Sequence, residues 1–205
     1  MKSRRSIGFW ISLAALGVAI LVPAGLALLR RPPAVAVAMP LFPPKSERIR
    51  LPGDEARRLT RADGSVQPVK TLLRLDSPMR YGSFVWNDRG VPAGELWLRI
   101  DLSKQILSVF RAGEEIGTSV ILYGQDDKPT PTGDFPVLWM GRNHRSSLYD
   151  AEMPYTLRLT GDGVAIHGSD VREGLATHGC IGVPLDFAAR LFAVVRRGTV
   201  VTIVQ

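Results

Sequence analysis

The chain has 205 residues and a formal net charge of +7, with 45% hydrophobic and 22% charged residues. Five cations and no acids fall in residues 1–31, so the remaining residues carry a net charge of only +2. This balance gives no support to a nucleic-acid-binding face, because such a face needs clustered Lys and Arg. We therefore expect no nucleic-acid partner.

The first 31 residues are predicted to be a signal anchor or a signal peptide. Three cations precede an uncharged run over residues 6–29, and Arg30 and Arg31 follow it. The run is long enough to cross a bilayer, which takes about 20 apolar residues, and it exceeds the usual signal-peptide core of about 7–15 residues. The larger number of cations before the run favours a cytoplasmic N-terminus. The sequence AVA at residues 36–38 leaves cleavage open. The rest of the chain is then expected outside the cytoplasm, either membrane-anchored or secreted.

Residues 32–69 are predicted to be a linker, and residues 70–93 an irregular extension. Prolines recur between residues 32 and 68 without helical or strand periodicity, and proline-rich chain is extended and semi-rigid. Between residues 70 and 93, apolar residues stand at uneven spacing among turn signals. We expect this extension to pack on the domain that follows.

Residues 94–205 are predicted to form one mainly β domain. Apolar residues alternate over 95–100 and 105–110, and a third strand is expected over 116–123. Short strands at regular spacing indicate a β-sandwich or barrel. One helix is predicted over 185–195, where apolar residues follow helical spacing. Further short strands are expected over 135–140, 155–159, 164–167 and 200–204.

The candidate chemistry lies in the stretch from Val164 to Pro184. It holds the only cysteine of the chain, Cys180, and two of the three histidines, His167 and His178. Cysteine attacks carbonyl carbon as the thiolate, and a free thiol with a pKa of about 8.5 is mostly protonated at neutral pH. An imidazole titrates near neutrality and can take that proton. The stretch therefore offers a candidate nucleophile and base, although spacing alone does not choose between the two histidines.

Two other interpretations of these residues stay open. A single buried cysteine is often a small inert hydrophobe. A metal site built from His167, His178 and Cys180 is a further possibility, but zinc sites usually draw on two Cys/His pairs or a carboxylate. Because the chain has one cysteine, we expect no metal here.

Four short motifs resemble the L,D-transpeptidase (YkuD-type) catalytic domain family. The family signature is a His-Gly followed by Ser/Thr-His-Gly-Cys, and this chain has HGS at 167–169 and THGCI at 177–181. Its TPTGDF at 130–135 is similar to the family's Thr-Pro-Thr-Gly-x-Phe segment, and its MPY at 153–155 to Met-Pro-Tyr/Phe. The resemblance covers roughly residues 94–205.

The resemblance implies a YkuD-like β fold and a peptidoglycan L,D-transpeptidase that needs no cofactor. Cys180 is then the nucleophile, and His167 is its general base and acid. The imidazole is oriented by the backbone carbonyl of Gly168, with Asp170 as the alternative orienting group. The implied partners are peptidoglycan stem peptides, one a donor tetrapeptide that acylates Cys180 and the other an amine acceptor in a 3→3 cross-link.

The remaining motif residues are expected around the reacting groups. The backbone N–H of Gly179 and that of the following residue, with His178, are expected to form an oxyanion hole, where glycine lets the substrate approach. Ser169 and Thr177 are expected to bind substrate. Tyr155 is expected either to line the pocket or to pack as a core aromatic.

Two departures from the family pattern bear on substrate choice. Gly182 stands where the family usually has Arg or Asn, and residues 170–176 form a shorter gap between the histidine motifs than in many members. They keep open an L,D-carboxypeptidase, in which water replaces the amine. A non-catalytic, membrane-tethered wall-binding module is the other alternative.

Overall fold

The computed structural model describes residues 48–52, 58–124, 128–147 and 150–205. The membrane-targeting segment expected at residues 1–31 lies outside these ranges, as does the first part of the expected linker. Within the described ranges, the chain forms no helix with both the length and the apolar character that crossing a bilayer requires.

The described chain is built mainly from short β-strands, with a single helix, α1, at Leu185–Val194. The prediction of a mainly β domain with one helix near residues 185–195 is therefore confirmed. The strands, in chain order, are β1 (Arg48–Arg50), β2 (Arg58–Thr60), β3 (Val66–Pro68), β4 (Thr71–Leu73), β5 (Phe84–Trp86), β6 (Leu96–Asp101), β7 (Ile106–Arg111), β8 (Glu114–Val120), β9 (Gly133–Pro136), β10 (Trp139–Gly141), β11 (Thr156–Arg158), β12 (Ala165–Ser169), β13 (Ile181–Pro184) and β14 (Val200–Val204).

Eight strands form the larger sheet, in the order β1-β4-β8-β7-β6-β14-β9, with β5 also paired to β8. β6 and β7 are antiparallel with Leu98 opposite Val109, and both side chains are fully buried. β14 lies parallel to β6 in the interior of the sheet. Its sequence VVTIV has no apolar/polar alternation, which is typical of a strand buried on both faces.

The chain crosses from the larger sheet to a smaller one between β9 and β10. The sequence predicts one strand over residues 135–140, whereas the structure has two, because β9 pairs with β14 and β10 pairs with β11. Pro136 ends β9, since it has no N–H to extend the ladder. Val137, which is 1% exposed, donates its N–H to the Thr199 carbonyl at 2.9 Å and fixes the crossing.

The described residues between 48 and 69 pack as strands, where the sequence predicted a linker. β1 pairs with β4 at the edge of the larger sheet, and β2 and β3 form a separate hairpin. Val69 is fully buried beside the stacked rings of Trp97 and Phe110. The prolines misled the prediction, because Pro52 follows β1 and Pro68 closes β3, and a missing N–H is tolerated at strand ends.

The extension expected at residues 70–93 also contributes strands. β4 pairs with β1 and β8, and β5 pairs with β8. The segment packs on the domain through these pairings. It was expected to be irregular throughout, but β4 and β5 are regular strands and only the residues around them are irregular.

The smaller sheet has the order β10-β11-β12-β13. β12 and β13 are parallel neighbours, so residues 170–180 form the connection between them. α1 follows β13 directly, with Pro184 at its N-cap, and the fixed φ of proline suits a helix start.

One apolar cluster joins the two sheets and the helix. It contains Leu98 and Val109 of the larger sheet, Ile166 and Ile181 of the smaller sheet, and Phe187 of α1, each 0–1% exposed. Full burial of one such side chain contributes about 1.5–3 kcal/mol. The two strands that carry the candidate site are thus anchored at Ile166 and Ile181, directly beside His167 and Cys180.

Candidate active site

The parallel pairing of β12 and β13 brings His167 and Cys180 together. In this ladder Ile166 lies opposite Ile181 and His167 opposite Gly182. Side chains two positions apart on an extended chain share a face, so Cys180, two residues before Gly182, lies on the same face as His167. Both side chains line one cavity of about 590 Å³.

A backbone carbonyl orients the imidazole of His167. Its Nδ1 lies 3.0 Å from the carbonyl oxygen of Gly168. This contact favours the tautomer with the proton on Nδ1, which leaves Nε2 as the acceptor. The alternative orienting group, Asp170, is exposed and pairs with Arg172 at 2.8 Å. The structure therefore favours the Gly168 carbonyl over the Asp170 carboxylate as the group that orients the His167 imidazole.

Burial favours the neutral form of both groups at rest. It lowers the pKa of His167 below its ordinary 6.5, against the opposing effect of the hydrogen bond to Gly168. It raises the pKa of Cys180 above its ordinary 9.0, against a hydrogen bond from Ala165 and the charge of Lys128. At neutral pH the pair is a thiol and an uncharged imidazole. The imidazole is thus ready to accept a proton.

The thiol rests against a short turn between β11 and β12. The Sγ of Cys180 lies 3.7 Å from the carbonyl oxygen of Gly163. Arg158 holds this turn, because its Nε and Nη2 donate to the carbonyls of Thr160 and Gly161 at 3.0 and 2.6 Å. Asp162, in the same turn, accepts from the Thr160 hydroxyl.

Two threonines fix the loop that precedes Cys180. The buried Thr130 hydroxyl donates to the carbonyl of Gly179 at 3.0 Å and accepts from the N–H of Gly124 at 2.9 Å. The Thr177 hydroxyl donates to the carbonyl of Cys180. Gly179 itself has φ +97°, a conformation that L side chains rarely adopt. The loop is therefore held from both sides in one geometry.

Of four other expected site residues, two line the cavity and two do not. Thr177 and the exposed His178 line the cavity. Tyr155 and Ser169 do not belong to its lining in the described chain. The Tyr155 ring instead packs edge-on to Phe192 at 5.8 Å, which is the core position that the sequence left open. Ser169 lies opposite Pro184 in the ladder and packs beside Gly182, so its expected contact with substrate stays a prediction that this cavity does not support.

Gly182 is enclosed on both sides of β13. Its N–H and carbonyl pair with Leu122 at 2.9 and 2.8 Å. A methyl group added at Gly182 would lie 3.0 Å from the Cβ of Ser169 and 3.4 Å from that of Leu122. No space remains here for the Arg or Asn that the family usually has, unless its neighbours shift.

Most of the remaining cavity wall was not predicted from the sequence. It includes Trp139 and His144, whose rings meet edge-on at 5.4 Å, together with Lys128, Arg158 and Asp162. These residues come from separate segments and form no local motif. Only Met153, from the MPY segment, was singled out beforehand as part of a motif near the site.

The described residues offer no ligand set for a metal ion. No three His, Cys, Asp or Glu side chains among them lie close enough to share one. The metal interpretation of His167, His178 and Cys180 is therefore not supported by their arrangement.

Residues 95–203 match the model of the L,D-transpeptidase catalytic domain, YkuD. Solved structures with the same fold include an L,D-transpeptidase from Mycobacterium smegmatis, at 22% identity and a TM-score of 0.52, covering 55% of this chain and 59% of that chain. Another is an L,D-transpeptidase from Stackebrandtia nassauensis, at 20% identity and 0.51, covering 56% and 57%. A third is a cysteine-to-serine mutant from Enterococcus faecium, at 24% and 0.50, covering 55% and 50%. The match thus spans between half and three fifths of these neighbours. Among curated proteins, no sequence matches this chain.

Proposed function

The chain belongs to the family of the L,D-transpeptidase catalytic domain, YkuD, and on that premise we propose that it is a cysteine acyltransferase acting on peptidoglycan stem peptides. The observation that carries the proposal is a single cavity lined by Cys180 and His167, with Nδ1 of the imidazole 3.0 Å from the Gly168 carbonyl. The family supplies the reaction class, and this geometry supplies the reacting groups.

The first half-reaction forms a thioester. The neutral imidazole of His167 takes the thiol proton on Nε2, and Sγ of Cys180 attacks the carbonyl carbon of the diaminoacid at position three of a donor tetrapeptide. The C–N bond to the terminal D-alanine breaks, and the imidazolium returns its proton to the leaving amine. This reaction starts from a neutral thiol on Cys180 and a neutral imidazole on His167, which are the protonation states that burial favours.

The second half-reaction releases the enzyme. An amine of a second stem peptide attacks the thioester carbonyl, and His167 accepts the proton that this amine loses. The C–S bond breaks, the thiol is restored, and the product is a 3→3 cross-link or an amide to another amine acceptor. No cofactor or metal takes part in either step.

Backbone donors near Cys180 stabilise the charge that develops on the attacked carbonyl oxygen. We assign this role to the N–H groups of Gly179 and Cys180, with the exposed His178 at the cavity wall. The bonds from Thr130 and Thr177 hold this loop in place before substrate arrives. Preorganised donors of this kind are worth roughly 10²–10³ in rate.

We place the domain in the periplasmic cell envelope. The basis is the apolar run over residues 6–29 with cations on both sides, which we interpret as a membrane anchor or an export signal. In that position the enzyme meets its stem-peptide substrates, and its sole cysteine has no internal partner for a disulfide.

The test is intact-protein mass spectrometry on the full-length chain incubated with a disaccharide-tetrapeptide. The parent should gain the mass of an acyl group and release D-alanine, whereas Cys180→Ala should do neither while unfolding at the same temperature as the parent. The mass of protein isolated from membranes also shows whether residues 1–31 remain attached. Folded, reduced parent with no adduct and no D-alanine would contradict the proposal and favour a wall-binding module.

Hydrolysis is the second candidate, and the enclosure of Gly182 is the observation that favours it. A backbone-only residue makes no side-chain contact to peptide, and a peptide held by fewer contacts leaves more room for water. The same incubation decides between the two outcomes, because transfer gives a cross-linked dimer and hydrolysis gives free tripeptide.

A further inference from the structure

One side chain of the cavity comes from outside the segment that forms the rest of its wall. In the described chain, all other lining residues lie between Trp139 and Cys180, in the smaller sheet and its connections. Lys128 instead precedes Thr130, the residue that bonds to the loop before the nucleophile. Lys128 lies between β8 and β9, two strands of the larger sheet. A segment outside the smaller sheet therefore contributes a cation to this cavity.

The Lys128 side chain runs along the residue that precedes the nucleophile. A methyl group built on Gly179 would lie 3.5 Å from Cγ and 3.7 Å from Cε of Lys128. The Gly179 carbonyl is fixed by Thr130 at 3.0 Å. The lysine stem is therefore packed against a rigid backbone, and the residue lines the cavity.

The charge of Lys128 acts on the reacting thiol and on Asp162, another residue of the cavity lining. Burial raises the pKa of Cys180, and Lys128 opposes that rise; the hydrogen bond from Thr160 lowers the pKa of Asp162, and Lys128 adds a smaller lowering effect. The other cation lining the cavity in the described chain, Arg158, is engaged with two backbone carbonyls of its own turn. Of these two cations, Lys128 is the one whose stem packs beside Gly179 and whose charge acts on Cys180, so it is the better placed to attract a substrate anion next to the nucleophile.

We propose that Lys128 binds the α-carboxylate of the D-amino acid that leaves the donor stem peptide. Lys128 thereby supplies a cation near the nucleophile in a chain where Gly182, enclosed by Ser169 and Leu122, has no side chain to offer. This inference rests on the proposed function, and it names the part of the substrate that the cavity recognises.

Chain dimensions agree with this assignment. Consecutive Cα atoms are about 3.8 Å apart, so a terminal carboxylate lies roughly 4 Å beyond the attacked carbonyl carbon. That carbon approaches the nucleophile to about 3–3.5 Å before reaction. A flexible ammonium whose stem passes beside Gly179 covers this range, and lysine is well suited to bind a carboxylate as a point charge.

The first test compares two alkylating reagents of nearly equal size on Cys180. Anionic iodoacetate and neutral iodoacetamide both alkylate Sγ and release iodide. Because the chain has a single cysteine, the mass shift reports on Cys180 alone. At about pH 8, where an ordinary imidazole is uncharged, the iodoacetate-to-iodoacetamide rate ratio should fall about threefold or more in Lys128→Gln. A change in the thiol pKa affects both reagents alike and cancels in the ratio.

Matched variants separate a local charge effect from a general one. Lys70→Gln removes the same charge near the start of β8, away from the cavity lining, and should keep the parent ratio. Lys128→Arg keeps the charge and should keep the ratio as well. An unchanged ratio in Lys128→Gln would overturn the inference, and a fall in Lys70→Gln of the same size would do so too.

The second test uses donor tetrapeptides that end in D-alanine or in D-alanine amide. The parent should prefer the free acid, and Lys128→Gln should lose about tenfold or more in kcat/KM on the acid but much less on the amide. Equal losses on both donors would contradict the assignment. D-alanine release without this preference leaves the proposed function standing and removes the inference. If no D-alanine is released, the proposed function fails and the inference fails with it, and a lysine-dependent alkylation ratio then shows only that Lys128 places a positive charge beside Cys180.

Discussion

The larger sheet and the smaller sheet of this molecule differ in role: the larger sheet contributes stability, and the smaller sheet carries the candidate active site. β6, β7 and β8 of the larger sheet have six or seven residues each and form long ladders, with one register shift between Val109 and Phe110 where β7 meets β8. The smaller sheet has strands of three to five residues, with the cavity at their ends. Both contribute to one apolar cluster. The longer ladders thus support the short strands, which have little stability of their own and carry the candidate nucleophile and the candidate general base.

The largest expected effect is the loss of activity in His167→Gln. The change removes the base while keeping a group that can still bond to the Gly168 carbonyl, so kcat/KM for D-alanine release should fall about 10²–10⁴-fold. The unfolding midpoint should stay near that of the parent, because the core residue Ile166 is untouched. Rate assays and thermal unfolding on the same samples check both statements. An active His167→Gln would remove the general-base role.

Leu98→Ala should show the reverse pattern. Leu98 is fully buried at the centre of the larger sheet, and truncation of a buried leucine costs about 2–5 kcal/mol. Chemical denaturation should report this loss in the free energy of unfolding. At a temperature where the variant stays folded, the Cys180 alkylation rate should match the parent. A slowed thiol reaction in the folded variant would show that the two sheets are more tightly coupled than their roles suggest.

Thr130→Val tests the link between the two regions and should have the smallest effect on each. It leaves the Gly124 N–H and the Gly179 carbonyl without their shared partner, which should cost about 1–3 kcal/mol of stability. Because Gly179 carries a proposed oxyanion donor, kcat should fall as well, with little change in KM. Thr132→Val, at an exposed position of the same segment, is the control and should leave both quantities near the parent values.

The candidate nucleophile and base could be proposed from the sequence because their signal is local. His-Gly and His-Gly-Cys lie within one stretch, and the strands at 95–100 and 105–110 follow clear alternation. Spacing alone did not choose between His167 and His178, and the family resemblance pointed to His167. The register that sets His167 opposite Gly182 is consistent with that choice. The contact of Nδ1 with the Gly168 carbonyl agrees with what the family resemblance implied.

The cavity wall and the N-terminal strands escaped prediction because they depend on distant pairing. β1 has three residues, two of them arginines, and it is ordered by pairing with β4. Glu115 looks like a surface residue in the sequence, yet it is 5% exposed and accepts the N–H of Leu73 at 2.8 Å. Burial raises its carboxyl pKa. No local sequence pattern predicts that a glutamate such as this one is buried.

The interior position of β14 has a consequence for how the chain is made. Residues 200–204 pair with β6 on one side and with β9 on the other, so the larger sheet stays open until they leave the ribosome. At a synthesis rate of about 5–20 residues per second, β6 and β7 precede them by roughly 5–20 seconds. During that interval β6 offers an unpaired apolar edge, which is a template for aggregation. We therefore expect the nascent chain to be most prone to aggregation in the interval before β14 pairs with this edge.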